Sequence, residues 1–148
     1  MMKSLHTERD RQTIIARVRQ LTPESRARWG KMTAQQMILH LADSARMATG
    51  ELPVASKGAP FRFPVVKQLL MYVLPIPKNL PTAPELIART TTDWDADMAD
   101  YFSRLEAFAQ KKIDSAWADH PVFGPMNGTE WGRQLWSHMD HHLRQFGA

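Results

Sequence analysis

The sequence contains no cysteine. That absence excludes disulfides, thiolate metal sites and cysteine nucleophiles, and it is compatible with a reducing compartment. A long apolar run is missing too. The most apolar stretch, FPVVKQLLMYVLPIP (63–77), is interrupted by Lys67 and Gln68 and bounded by prolines. It falls short of the roughly 20 residues that a spanning helix needs. The N-terminal MMKSLHTERDRQTII has no apolar h-region, so no secretory signal is expected. Internal repeats, low-complexity tracts and the two-residue alternation of strands are likewise absent. These absences together point to a cytoplasmic protein with no membrane span.

What is present fits one helical domain over residues 1–148, since 148 residues with 43% hydrophobic content can bury a single core without staples. The net charge of +4 is unevenly spread. Residues 1–31 carry eight Lys/Arg against Glu8, Asp10 and Glu24, leaving the other 117 residues at −1. Such an arm can meet nucleic acid or anionic lipid. Here, however, the arginines alternate with acids and with Ile14, Val18 and Leu21, and no aromatic–basic interleaving accompanies them. A solvated helix face is the better reading, and nucleic acid is disfavoured as a partner.

Apolar spacing predicts a first helix over about 7–21. Thr22-Pro23-Glu24 carries the pattern of a cap, a first-position proline and an early acid, which predicts a short helical turn ending near Trp29-Gly30. In TAQQ, Thr33 and Gln36 form a capping box that starts a second helix, about 33–49, with Gly50 as its stop. Residues 51–92 hold seven of the ten prolines. A short helix near 65–73 is expected there, inside a long connection that is either a pocket lid or a plain crossover. Asp93 opens the next long helix, where Asp93, Asp95 and Asp97 suit the positive end of the helix dipole. An EF-hand reading of the same acids lacks the required glycine and distal glutamate. After DHPVFGPMNGT, Thr129 is expected to cap a last helix ending near Phe146. The fold class is all-α, with four main helices and a long proline-rich connection between the second and third. A four-helix bundle is the economical architecture.

The histidines carry the chemistry. Residues three and four apart share a helix face, so Trp131, Leu135, His138, His142 and Phe146 form one stripe, with His138 and His142 at positions suited to leucine. His141 lies one step off. In QMILHLADS, the neighbours Met37, Leu41 and Ser44 turn His40 inward as well. Three buried neutral imidazoles need partners, and a divalent ion can accept one nitrogen from each. Three nitrogen ligands without a fourth protein ligand leave a position for water or substrate, the pattern of catalytic sites. The plainer alternative is that inward histidines simply bond to carbonyls. His120 and His141 are not expected as ligands, and His6 is expected to be solvated.

Two segments, WGKMTAQQMILHLADSARMATGE (29–51) and HPVFGPMNGTEWGRQLWSHMDHHLRQFG (120–147), resemble a bacterial family of unknown function within the DinB-like superfamily. The resemblance rests on the tryptophan–methionine approach to a histidine-bearing helix and on the H-x-x-H-H-x-x-Q pattern of the last helix. It implies a DinB-like four-helix bundle with a three-histidine site for zinc, nickel or a related ion. By motif, the ligands are His40, His138 and His142. It also implies low-molecular-weight thiols as cosubstrates, as in the thiol S-transferases and the thiol-dependent isomerase of that superfamily.

The leading expectation is a metal-dependent enzyme acting on a small molecule, in which the ion activates a thiol for transfer or water for hydrolysis. Asp43 and His141 are candidates to orient the ligands or move protons behind them, although Asp43 can instead pair with Arg46. Trp131 and Gln145 are candidate walls of the site, although a core position is the better reading of Trp131. The alternative is a non-catalytic helical bundle that binds a ligand or partner through the proline-rich segment. A homodimer is compatible with either reading.

Overall fold

The computed structural model describes residues 2–56, 63–72 and 93–148. Among them the chain forms five helices and no strand: α1 (Glu8–Val18), α2 (Ala34–Thr49), α3 (Pro64–Tyr72), α4 (Trp94–Gln110) and α5 (Gly128–Gln145). No helix among the described residues is long and apolar enough to cross a membrane. Most of the proline-rich connection lies outside the described residues, and with it the choice between lid and crossover.

Local chemistry explains the helix ends. Thr33 caps α2 through its hydroxyl, which accepts from Gln36 N at 3.1 Å, while the Gln36 side chain accepts from Thr33 N at 3.0 Å. Gly50 closes the helix in the left-handed region at φ 89°. Asp93 caps α4 by accepting from Ala96 N at 2.9 Å. The start of α5 differs from expectation, because Asn127 rather than Thr129 is the cap. Asn127 Oδ1 accepts from Glu130 N at 2.9 Å, and Glu130 returns a bond to Asn127 N at 3.0 Å. The reason is reciprocity: a box needs a Glu or Gln three residues on, which Asn127 has in Glu130 and Thr129 lacks.

The short helix expected after Thr22 does not form; residues 21–27 are a turn and irregular chain. Ser25 N donates to Thr22 O and Thr22 N to Ser25 Oγ, both at 3.0 Å, closing a single turn on itself. With no apolar stripe to bury, nothing propagates it.

α2 lies between two neighbours, packing on α4 and on α5, and nearly all of its length is buried. Arg46 on α2 reaches both Asp100 carboxylate oxygens at 2.6 Å, and Gln35 donates to Asp97 at 2.9 Å, which fixes α2 along α4. α5 packs on α1 through its other flank. Trp136 Nε1 donates to Asp10 O at 3.2 Å, and Arg17 donates to Asp140 at 2.6 Å. The shared core includes Ile14, Val18, Met37, Leu41, Tyr101, Leu105, Phe108, Trp131, Leu135, Met139 and Leu143. Tyr101 lies on the buried side of α4. It is fully buried and donates its hydroxyl to Met139 Sδ at 3.3 Å, and burial pushes that hydroxyl above its ordinary range.

His6 is held by the fold rather than solvated. Its ring stacks on Phe108 with centroids 4.8 Å apart, and its Nε2 donates to Gly128 O at 2.8 Å. Gly132 makes this docking feasible: a Cβ there would fall 2.5 Å from both His6 Cδ2 and Ser4 Oγ. Part of the basic N-terminal arm is likewise used internally. Arg11 donates to Leu5 O at 2.8 Å and pairs with Glu8, and Arg17 reaches Ala148 O at 2.9 Å.

Candidate metal centre

The deepest line along α5 runs through Gly132, Leu135, Met139 and Leu143. It is rotated from the expected stripe, so His138 and His142 lie on its flank and are half-buried. The physical reason is that α5 packs on two helices. Trp136 and Asp140 serve α1, as above, while His138 and His142 turn the opposite flank to α2. There His40, buried on α2, meets them.

The three rings converge through the same atom type. His40 Nε2 stands 3.0 Å from His138 Nε2, and His142 Nε2 stands 3.1 Å from it. The ring centroids are 4.8–4.9 Å apart, with the planes crossing edge to face. One ligand atom from each ring lies within 4.8 Å of the others, so the trio can hold a metal ion. Nitrogens about 2.0–2.1 Å from a tetrahedral ion stand about 3.3 Å apart, close to the two shorter separations.

Hydrogen bonding alone does not satisfy this arrangement. A neutral imidazole nitrogen has one in-plane position, filled either by a proton or by a lone pair. His138 Nε2 therefore has a single proton or a single lone pair to divide between two nitrogens at bonding distance. Protonating a ring to relieve the mismatch places charge in a desolvated cluster. Burial holds His138 well below its ordinary pKa, and His142 and His40 add to the depression. Burial likewise lowers His142 to about 4, with His40 adding to the effect and the Gln145 bond opposing it. Neutral rings with lone pairs facing one point are what a cation needs.

Of the remaining sequence candidates, His141 and Gln145 border this cluster, whereas the others have partners of their own. Asp43 is buried and accepts from Arg46 Nη1 at 2.8 Å, the i,i+3 pair that its spacing suggested. The His141 ring lies 5.2 Å from that of His142 and 5.8 Å from that of Trp29. Trp131 belongs to the core, fully buried, with Nε1 donating to Ala118 O at 2.8 Å. Gln145 is buried and bonds to His142 Nδ1 at 2.8 Å through Oε1. Sequence reading placed it only as a wall, although the His142–Gln145 spacing of three already set the two on one face. His120 stands apart from the trio. Its Nδ1 accepts from Val122 N at 3.0 Å and Phe123 N at 3.2 Å, organising the turn before α5.

These depressed histidines set an expected acid response in the metal-free protein. His120 is lowered to about 3, by burial first and then by Lys67, alongside His138 and His142. Each takes up its proton in the unfolded chain near 6.5 but in the folded chain only at far lower pH. Their stabilising contribution is therefore complete above about 6.5 and is lost as pH falls toward 4. The loss is up to about 1.4 kcal/mol per pH unit for each ring. Urea unfolding at pH 7, 6, 5 and 4.5 is expected to show a steepening fall in midpoint; a flat profile over that span contradicts the burial of these rings.

A protein helical among its described residues, with a three-imidazole cluster able to hold a metal ion, is the class that fold and site define. The chain belongs to the family described as "Protein of unknown function (DUF1569)", which it matches over residues 2–148. No curated protein and no solved structure matches it.

Proposed function

We propose that this protein is a divalent-metal-dependent enzyme on a DinB-like four-helix bundle of α1, α2, α4 and α5, with His40, His138 and His142 as ligands to zinc or nickel. The observation that supports this most is the meeting of three Nε2 atoms, drawn from two helices, at separations hydrogen bonding cannot fully use. Three neutral ligands contribute no charge of their own. They also leave a position of a four-coordinate ion for a cosubstrate. A bound ion supplies Lewis acidity, lowering the pKa of a thiol or water into the neutral range. α2 and α5 carry the imidazoles, and Gln145 bonds to His142 at its Nδ1. Because the chain has no cysteine, a reacting thiol has to arrive as a low-molecular-weight cosubstrate. The reaction class is thiol S-transfer or hydrolysis on a small electrophile.

The test is elemental analysis of the purified protein after reconstitution with zinc and with nickel. Wild type is expected to retain about one ion per chain, the stoichiometry of a single three-histidine site. His40→Ala and His142→Ala are each expected to lose it. Wild type at background metal level would end the reading. A screen of low-molecular-weight thiols with the loaded protein then separates transferase from hydrolase chemistry.

A further inference from the structure

The amide of Gln145 connects the metal cluster to the loop that precedes α2. Its Nε2 donates to Trp29 O at 2.8 Å, and its Oε1 lies 2.8 Å from His142 Nδ1. A backbone carbonyl can only accept, so the amide nitrogen must face Trp29 and the amide oxygen must face the histidine. That oxygen also can only accept, so His142 Nδ1 carries the proton. A neutral imidazole has one ring proton, which leaves Nε2 bare, and Nε2 is the atom 3.1 Å from His138 Nε2.

We infer that Gln145 is a positioning residue that holds His142 in the Nδ1–H tautomer, so that its Nε2 lone pair faces the cluster.

The amide cannot readily turn over. A flip sets its oxygen against the Trp29 carbonyl, two acceptors face to face, and no change of tautomer at His142 restores that bond. The residue is also gripped at its main chain, because Arg28 N donates to Gln145 O at 2.7 Å. Residues 28 and 29 therefore hold both the backbone and the side chain of Gln145, which is 6% exposed. Without that grip the other tautomer would aim an N–H at the point where a ligand needs a lone pair. A bond to the rear nitrogen of a ligand histidine commonly sets its tautomer, and its loss typically weakens metal affinity about 10–100-fold. The consequence for affinity rests on the metal reading proposed above; the tautomer does not.

The test uses uniformly 15N-labelled, metal-free protein and long-range 1H–15N correlation at neutral pH. In wild type, His142 is expected to show a protonated Nδ1 and a bare Nε2. Gln145→Met, which keeps the length and removes the acceptor, is expected to shift the ring toward the Nε2–H form and to weaken zinc binding about 10–100-fold. Gln145→Glu keeps an acceptor at the same reach, although its second oxygen then faces the Trp29 carbonyl, and is expected to recover the proton on Nδ1 that Gln145→Met loses, an effect that a purely structural role for the amide does not predict. A bare Nδ1 in wild type overturns the inference, as does a Gln145→Met variant with unchanged tautomer and affinity. Wild type with the Nδ1–H signature but no zinc uptake removes the metal reading and upholds the tautomer assignment. Should Gln145→Met fail to fold, the wild-type spectrum alone decides.

Discussion

His138→Leu is expected to remove most of the zinc stabilisation that the proposed site implies, while leaving the metal-free protein near its original stability. His138 Nε2 is the nitrogen that both other rings approach, so its loss breaks the cluster at its centre. Structural zinc sites bind with about 10–16 kcal/mol over four ligands, which puts roughly 3 kcal/mol, or about a hundredfold in affinity, on one imidazole. In the apo protein the exchange is between a ring whose contacts are only partly satisfied and an apolar side chain of similar size, so the change is held to about 1 kcal/mol. With zinc at 100 times Kd, wild type is expected to gain about 2.7 kcal/mol. For a chain of this length that is a rise in Tm of about 5–10 °C. Thermal melts of both proteins with and without zinc check this. A zinc-induced rise in the variant equal to that of wild type would remove His138 from the ligand set.

Trp131→Ala is expected to be the most damaging single change to stability. The indole is fully buried one turn into α5, packs beside the His120 ring at 5.2 Å between centroids, and anchors the loop through Ala118 O. Emptying such a site costs about 3–5 kcal/mol. Trp131→Phe keeps most of the volume but leaves the Ala118 carbonyl unmet, a loss of about 1–3 kcal/mol. Urea unfolding of the three proteins should therefore give an ordered series. A Trp131→Ala variant within about 1 kcal/mol of wild type is inconsistent with a core position for the indole. The effect extends beyond stability, since Trp131 seats the start of the helix that carries His138 two turns later and His142 three turns later.

Much of the molecule can be read locally. The Thr33–Gln36 box, the Gly50 stop and the acids at the start of α4 all act within one turn of chain. They appear in the structure where their chemistry places them. Asn127 was equally legible, since Glu130 three residues on completes its box, but a nearby threonine drew the expectation to Thr129. Other features had no local signature. His6 docks only because Gly132, more than a hundred residues away, leaves room for its ring. Tyr101 is fully buried, and the sulfur that its hydroxyl meets belongs to Met139 on another helix.

By itself, the sequence determined that the chain is helical, where its helices begin, and that His40, His138 and His142 lie on sides of their helices turned toward other chain segments. Helical phase is a local property, set every 3.6 residues, and a single segment reveals it. Only the tertiary structure decided that the α2 and α5 faces meet with three Nε2 atoms at one point, that Met139 and Leu143 rather than the histidines take the centre of the core, and that Trp29 holds Gln145 against His142. Those are distances between segments about 100 residues apart, set by how whole helices pack. No periodicity within one helix encodes the neighbour it will face.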